Sequence, residues 1–99
     1  MNRILAAVAL SALFASFASA DAVEDSYNKT CAICHAAGAA GAPKTGDEKV
    51  WKQRIEEKGM DTLVKNANKG INAMPPKGMC FDCSDEDFKA LIEYMAKPR

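Results

Sequence analysis

The sequence predicts an all-α fold made of about four short helices. Apolar residues recur at helical spacing in several segments, and no segment alternates apolar and polar residues as a half-buried strand would. Glycine and proline fall mostly between those segments, where they are expected to end helices. The chain has 99 residues, a length that allows one domain at most.

Residues 1–20 have the three parts of a secretory signal peptide. Arg3 supplies a positive charge, residues 4–17 are apolar, and residues 18–20 are the small residues of a cleavage site. The apolar run is too short and too rich in alanine for a membrane span. We therefore predict that residues 1–20 are removed, and that residues 21–99 form a soluble periplasmic domain without stable membrane insertion.

The first helix is predicted from Val23 to about Cys31, because no breaker interrupts the segment. Val23, Tyr27 and Cys31 share one face of it. The next segment, residues 36–46, is small, rich in glycine and interrupted by Pro43, which is typical of a loop.

The second helix is predicted from Asp47, which can cap it, to Lys58, where Gly59 can end it. A third helix begins near Asp61, and Gly70 is expected to end it.

Residues 71–83 are predicted to be irregular, because Pro75-Pro76 is excluded from helix interiors and central strands. Ser84 then caps the last helix. The apolar residues of that helix keep the spacing of a buried stripe: Phe88, Leu91, Ile92 and Met95.

Charge and size limit the possible partners. The 13 basic and 13 acidic side chains are mixed along the chain, which argues against nucleic acid and against a membrane surface. A domain of roughly 80 residues rarely builds a sufficient apolar core alone and usually needs disulfides, a metal or a cofactor. We therefore expect another group to fill the middle of this protein.

The motif Cys31-Ala-Ile-Cys34-His35 is the attachment signature of c-type haem. Cysteines three positions apart lie about one helical turn from each other, so their sulfurs can meet the two vinyl groups on one haem edge. His35 follows directly and can offer an imidazole nitrogen to the iron. The motif therefore predicts one covalently bound haem c.

Two other interpretations of the cysteines stay open at this point. A thioredoxin-like redox pair would need a βαβ unit, of which the sequence gives no sign. A zinc site would combine the first pair with Cys80 and Cys83, but such modules separate their pairs by roughly 15–20 residues. A zinc site would also leave His35 unexplained.

The second iron ligand must be sought among the methionines, because His35 is the only histidine. Met95 belongs to the apolar stripe of the last helix, Met60 lies at a helix start and Met79 adjoins Cys80. Met74 instead precedes Pro75-Pro76, which stiffen the backbone around it. We predict that Met74 ligates the iron, as methionine does in cytochromes c.

These motifs resemble class I cytochromes c. The resemblance rests on residues 31–35, on the run Gly-Ala-Pro-Lys-Thr-Gly-Asp at 41–47 and on Met-Pro-Pro-Lys-Gly at 74–78. Trp51 and Arg54, with the second cysteine pair in residues 78–85, are more narrowly similar to the bacterial cytochrome c5 group.

The resemblance implies a small helical fold wrapped around one haem, with thioethers at Cys31 and Cys34 and iron ligands His35 and Met74. It also implies a disulfide between Cys80 and Cys83, which an oxidising exported location favours. A reactive redox pair is the alternative for these two cysteines.

Three further residues are predicted to surround the haem. The carbonyl of Pro43 can accept a hydrogen bond from the His35 Nδ1–H. Trp51 and Arg54 share one helix face and can contact haem propionates, with core packing and a solvated surface as their alternatives. The resemblance also implies that Tyr27 and Tyr94 pack where the first and last helices cross.

We predict a monomeric, non-enzymatic carrier of single electrons in a bacterial respiratory chain, because two protein ligands leave the iron no open position. Its redox partners would be a donor on the quinol side and a terminal oxidase or reductase. The segment 36–42 would let a haem edge approach the surface, and Lys44 and Lys77 would steer acidic partners. The alternatives are a haem peroxidase or sensor with a labile Met74, and a zinc or disulfide module.

Overall fold

We analysed a computed structural model, which describes residues 19–99. Residues 1–18, and with them most of the predicted signal peptide, lie outside this range. The described chain is helical apart from turns and one isolated bridge, which confirms the all-α prediction. Its helices are α1 (Ala20–Ser26), α2 (Ala32–His35), α3 (Glu48–Lys58), α4 (Met60–Lys69) and α5 (Asp85–Ala96), with a π-helical turn at Tyr27–Cys31 and 3-10 turns at Ala39–Gly41 and Pro76–Met79.

The first helical segment is longer than predicted. Helix α1, the π-helical turn and α2 follow one another without leaving right-handed helical geometry, so one rod extends from Ala20 to His35. The predicted end near Cys31 was wrong, because the next residue that favours a break is Gly38, which has a φ of 77°. The rod therefore carries both thiols of the motif and the His35 ring.

The predicted caps of the later helices are confirmed. The Asp47 side chain accepts a hydrogen bond from the Val50 backbone N–H at the start of α3. Gly70 follows α4 with a positive φ. At α5 the Ser84 hydroxyl accepts from the Asp87 backbone N–H, and the Asp87 carboxylate accepts from the Ser84 backbone N–H, which together form a capping box.

Helix α5 lies at the centre of the fold, because it packs against α1, α3 and α4. The predicted apolar stripe on α5 is buried in full. Tyr27 and Tyr94 pack at the crossing of the first and last helices, with ring centroids 5.0 Å apart. Within residues 19–99 no helix combines the length and the apolar character needed to cross a membrane.

Candidate haem site

The Cys31-Ala-Ile-Cys34-His35 motif lies at the end of the first helical rod. Cys31 closes the π-helical turn, and Cys34 and His35 belong to α2. Both thiols are free and half-buried, whereas Ile33 between them is 71% exposed. The two sulfurs are therefore partly buried, and the residue between them in the sequence lies at the protein surface.

The His35 ring is buried and held in one orientation. The side chain is 8% exposed, and its Nδ1 lies 2.8 Å from the carbonyl oxygen of Pro43. A carbonyl only accepts hydrogen bonds, so Nδ1 carries the proton and donates it. Nε2 has no hydrogen-bond partner among residues 19–99, which leaves its lone pair available to a metal.

Trp51 and Arg54, which were predicted to surround the haem, have different environments in the structure. The Trp51 ring lies 5.6 Å from the His35 ring, between centroids, and its Nε1–H donates to the Lys44 carbonyl at 3.0 Å. Trp51 is thus packed in the core beside His35, and its contact with a haem propionate stays a prediction. Arg54 is half-buried, and its side chain makes no hydrogen bond or ion pair with any residue from 19 to 99.

Met74 lies in the irregular segment before the prolines. Its backbone forms a two-residue bridge with Ile71: the Met74 N–H donates to the Ile71 carbonyl at 2.8 Å, and the Ile71 N–H donates back at 3.1 Å. The half-buried side chain packs against the core. The two hydrogen bonds between Ile71 and Met74 therefore fix the backbone of this irregular segment.

Two glycines that the sequence analysis did not assign to the site lie against Met74. A Cβ on Gly78 would lie 2.9 Å from the Met74 methyl carbon, so a larger residue there would displace the end of that side chain. A Cβ on Gly70 would lie 3.0 Å from both the Met74 carbonyl oxygen and the Pro76 nitrogen. Their only signal in the sequence is position, close before and after the Met74-Pro75-Pro76 run.

The other methionines have different surroundings. Met95 is buried in α5, which confirms its interpretation as a core residue, and Met79 is 54% exposed. Met60 begins α4 and packs partly against the core. Of the four, Met74 alone combines partial burial with an irregular, self-paired backbone.

The helical rod that carries Cys31 and His35 contacts the part of the chain that follows Met74. The π-helical turn Tyr27–Cys31 contacts the 3-10 turn Pro76–Met79, which directly follows Met74 and Pro75. Beyond that turn, Cys80 and Cys83 are joined by a disulfide, with Cα atoms 5.5 Å apart and both residues buried. The disulfide closes the Met74 segment onto the start of α5.

Burial raises the pKa of the Cys31 thiol, and a hydrogen bond with the Thr30 hydroxyl offsets part of that rise. A thiol with a raised pKa stays protonated at neutral pH and reacts slowly with disulfides. Before any group is attached, this environment keeps Cys31 as a neutral thiol.

Lys77 makes contacts within the protein that the sequence did not predict. Its ammonium donates to the Asn68 side-chain oxygen at 2.8 Å and lies 5.5 Å from the centre of the Phe88 ring. Asn68 in turn donates to Asp85 at 2.8 Å. The ammonium is therefore bonded within the protein while it keeps its charge, whereas Lys44 is exposed; steering of acidic partners by Lys44 and Lys77 stays a prediction.

The donor set fits a covalently attached haem. Two free thiols one helical turn apart, a buried imidazole with a free Nε2 and a thioether on the adjoining segment are the groups that such a cofactor requires. Sulfur and imidazole also suit soft or borderline metals better than Mg²⁺ or Ca²⁺.

Comparison with known proteins gives matches over most of the chain. Residues 18–95 match a protein family described as cytochrome c oxidase, cbb3-type, subunit III. The cytochrome c5 of Ectopseudomonas mendocina is 46% identical over 78 residues, which are 78% of this chain and 90% of that protein. The cytochrome c5 of Azotobacter vinelandii is 47% identical over 74 residues, 74% of this chain and 89% of that protein.

Two further matches are more distant. The cytochrome c-555 of Chlorobaculum tepidum is 40% identical over 73 residues, 70% of this chain and 67% of that protein. A solved structure, described as the electron transfer complex of nitrite reductase with cytochrome c, contains a similar chain with a TM-score of 0.65 and 37% identity. That match covers 74% of this chain and 88% of the other.

Proposed function

Because the chain belongs to the class I c-type cytochromes, in the cytochrome c5 group, we propose that it carries single electrons in the periplasmic respiratory chain of a bacterium. The predicted family, class I fold and covalently bound haem c are confirmed by these relatives.

Cys31 and Cys34 are proposed to hold the haem by adding their S–H groups across its two vinyl groups, which gives two thioether bonds. His35 Nε2 and the Met74 sulfur are proposed as the two iron ligands. The observation that carries this assignment is the His35 ring, whose Nδ1–H is engaged by Pro43 while Nε2 has no partner among the described residues.

The bound haem supplies the chemistry, a one-electron change of its iron between the ferrous and ferric states. If His35 and Met74 both ligated the iron, they would leave substrate no open position on the metal. They bind and orient the group without themselves reacting, which supports a carrier rather than an enzyme.

The ligands also affect the reduction potential, and that potential limits which partners can donate or accept the electron. Met74 is a neutral, soft donor that favours the reduced iron, and the buried residues around it exclude water, which disfavours the more charged oxidised state. Both effects raise the reduction potential. We therefore propose a donor on the quinol side and a terminal oxidase or reductase as acceptor.

Docking to these partners is expected to be brief and small in area, as in other redox encounters. Ile33 between the two cysteines is highly exposed, and most of the Ala- and Gly-rich segment 36–42 is exposed as well. These surfaces lie next to the attachment site and suit a partner that must approach the cofactor closely. The solved complex of a similar cytochrome c with nitrite reductase supports a reductase as one class of acceptor.

The proposed location follows from the sequence of residues 1–20. If cleavage follows Ala20, the mature protein begins at Asp21 and loses Ser19, whose hydroxyl caps α1 through the Ala22 N–H. The N-terminal residue of the protein isolated from the periplasm tests this. An intact N-terminus in the cytoplasmic fraction would contradict it.

An optical spectrum of the purified protein, expressed with the haem-attachment machinery, tests the function directly. We expect sharp c-type bands after reduction and a methionine-to-iron band after oxidation. Rapid binding of carbon monoxide to the reduced protein would instead favour a peroxidase or gas sensor with a labile Met74. A colourless product would favour a zinc or disulfide module.

A further inference from the structure

We propose that Trp51 and Tyr27 are positioning residues that fix His35 through the segment Pro43–Gly46, here called the strap. Neither residue touches the Nδ1–H···O hydrogen bond, but both hold the backbone that provides its acceptor. This inference rests on the proposed role of His35 as an iron ligand, and it concerns how that role is tuned.

The strap grips His35 at two points. The Pro43 carbonyl accepts from Nδ1–H at 2.8 Å, and the Thr45 backbone N–H donates to the His35 carbonyl at 2.8 Å. The ring and the backbone of the same residue are therefore tied to positions only two residues apart. Any shift of the strap changes the geometry of the ring hydrogen bond.

The strap is an irregular segment, so its position depends on contacts with the helices around it. Trp51 provides one such contact, since its indole N–H donates to the Lys44 carbonyl at 3.0 Å. Lys44 lies between the two residues that grip His35. Trp51 is buried and its N–H needs an acceptor there, so the contact fixes the strap at its middle.

Tyr27 provides a second contact from the first helical rod. Its hydroxyl lies 2.7 Å from the Thr45 hydroxyl oxygen and donates to it. Tyr27 is also held against Tyr94, so this donor is itself fixed in place. A third contact, from the Gly46 N–H to the Met95 carbonyl at 2.7 Å, joins the end of the strap to α5.

The electronic consequence follows from the second hydrogen bond of a ligating histidine. A strong bond from Nδ1–H to an acceptor makes the imidazole more electron-rich and a better donor at Nε2. Stronger donation favours the oxidised metal. If the strap moves away from His35, that bond weakens and the reduction potential rises.

Trp51→Phe is the first test, because it removes the N–H donor and keeps a ring against His35. We expect a higher reduction potential by voltammetry and faster exchange of the His35 Nδ1 proton by NMR of the holoprotein. The exchange should accelerate about threefold to tenfold, the factor that corresponds to one hydrogen bond. A change in thermal stability without a change in potential or exchange would overturn the proposal.

Tyr27→Phe and Thr45→Val form a second test that needs no change at Trp51. Each removes one hydroxyl of the same pair, and Thr45→Val keeps the backbone N–H that bonds His35. The double variant should accelerate the exchange no more than either single variant, because the two act on one interaction. Additive effects of the two substitutions would contradict the coupling.

Tyr94→Phe is the matched control, since the Tyr94 hydroxyl has no hydrogen-bond partner within residues 19–99 while its ring packs on Tyr27. It should leave potential and exchange unchanged. If these variants match the wild type in both readouts but keep the c-type spectrum and the methionine band, only the positioning proposal fails. If the wild type lacks that spectrum, the proposed function fails instead.

Discussion

The two sides of the haem site are built in different ways. On one side the His35 ring is buried and tied to the strap at its ring and its backbone. On the other side Met74 is half-buried, and it lies in an irregular segment whose adjoining residues are exposed. Within residues 19–99 its backbone hydrogen-bonds with Ile71 alone, and its methyl lies close to Gly78.

Backbone strain is also distributed unequally. Among residues 19–99, the non-glycine residues with positive φ are Ala40, Asn72, Lys77 and Met79, and three of them lie in residues 72–79. Left-handed geometry costs such residues on the order of 1–2 kcal/mol each. The Met74 side thus contains strain that the strap does not.

This difference predicts that the Met74 side of the site opens before the His35 side. Several hydrogen bonds from different helices must break before His35 moves, whereas the Met74 segment depends on a few separate contacts and one disulfide. Local opening takes place where few buried contacts oppose it. We therefore expect the iron–sulfur bond to be lost before the protein unfolds.

Among the substitutions on the Met74 side, removal of the sulfur ligand should have the largest effect. Met74→Ala is expected to abolish the methionine-to-iron band, lower the reduction potential and allow carbon monoxide to bind the reduced protein. Met79→Leu is the control, because Met79 lies in the same segment but is mostly exposed. Survival of the band in Met74→Ala, or its loss in Met79→Leu, would point to another ligand.

Gly70→Ala should have the next largest effect, because the new methyl would meet the Met74 carbonyl and the Pro76 nitrogen. Gly59 is a matched control: it also ends a helix, with φ 85° and ψ 148° against 87° and 149° at Gly70. A Cβ at Gly59 meets no atom of the described chain within 4 Å.

Both alanine variants should lose about 1–3 kcal/mol of unfolding free energy from backbone strain. Gly70→Ala should lose more and should also weaken the methionine band, which Gly59→Ala should keep. Denaturant unfolding and the optical spectrum measure the two effects. Equal losses with an intact band in both variants would remove Gly70 from the site.

The double variant Cys80→Ser, Cys83→Ser should cost about 2 kcal/mol of unfolding free energy, since the disulfide closes only a short loop. The loss should fall on the Met74 side, so that the methionine band disappears at lower denaturant while His35 ligation persists. An unchanged midpoint for the band would show that the disulfide does not support Met74.

Lys77→Met should have the smallest effect. It keeps packing on Phe88 and removes the hydrogen bond to Asn68, which contributes about 0.5–1.5 kcal/mol. Lys44→Met is the control, because Lys44 is exposed and its ammonium has no partner within the described range. Electron transfer at low salt should slow with Lys44→Met more than with Lys77→Met, and the reverse order would show that Lys77 steers partners more strongly than the exposed Lys44.

Sequence reasoning went furthest where the chemistry depends on neighbours in the chain. The spacing of Cys31, Cys34 and His35 is local, and the helix that carries them follows from the absence of breakers. The caps at Asp47 and Ser84 are also local, and both were found. The proline pair after Met74 gave the irregular segment for the same reason.

The His35–Pro43 hydrogen bond and the Tyr27–Tyr94 packing were expected, but the other contacts that hold the site were not, because they join residues far apart in the sequence. Nothing in the pattern around Trp51 shows that its N–H reaches Lys44, or that Tyr27 reaches Thr45. The role of Gly70 depends on a close approach between the end of α4 and the proline pair. Only the folded backbone brings these groups together.

A denaturant titration of the oxidised holoprotein shows whether the iron–sulfur bond is lost before the protein unfolds, with the optical spectrum and the helical circular dichroism recorded on the same samples. We expect a methionine-to-iron band in the native protein that disappears at lower denaturant than the helical signal. Absence of the band before any denaturant is added would contradict ligation by Met74. Loss of both signals in one transition would show that the Met74 side does not open before the rest of the protein.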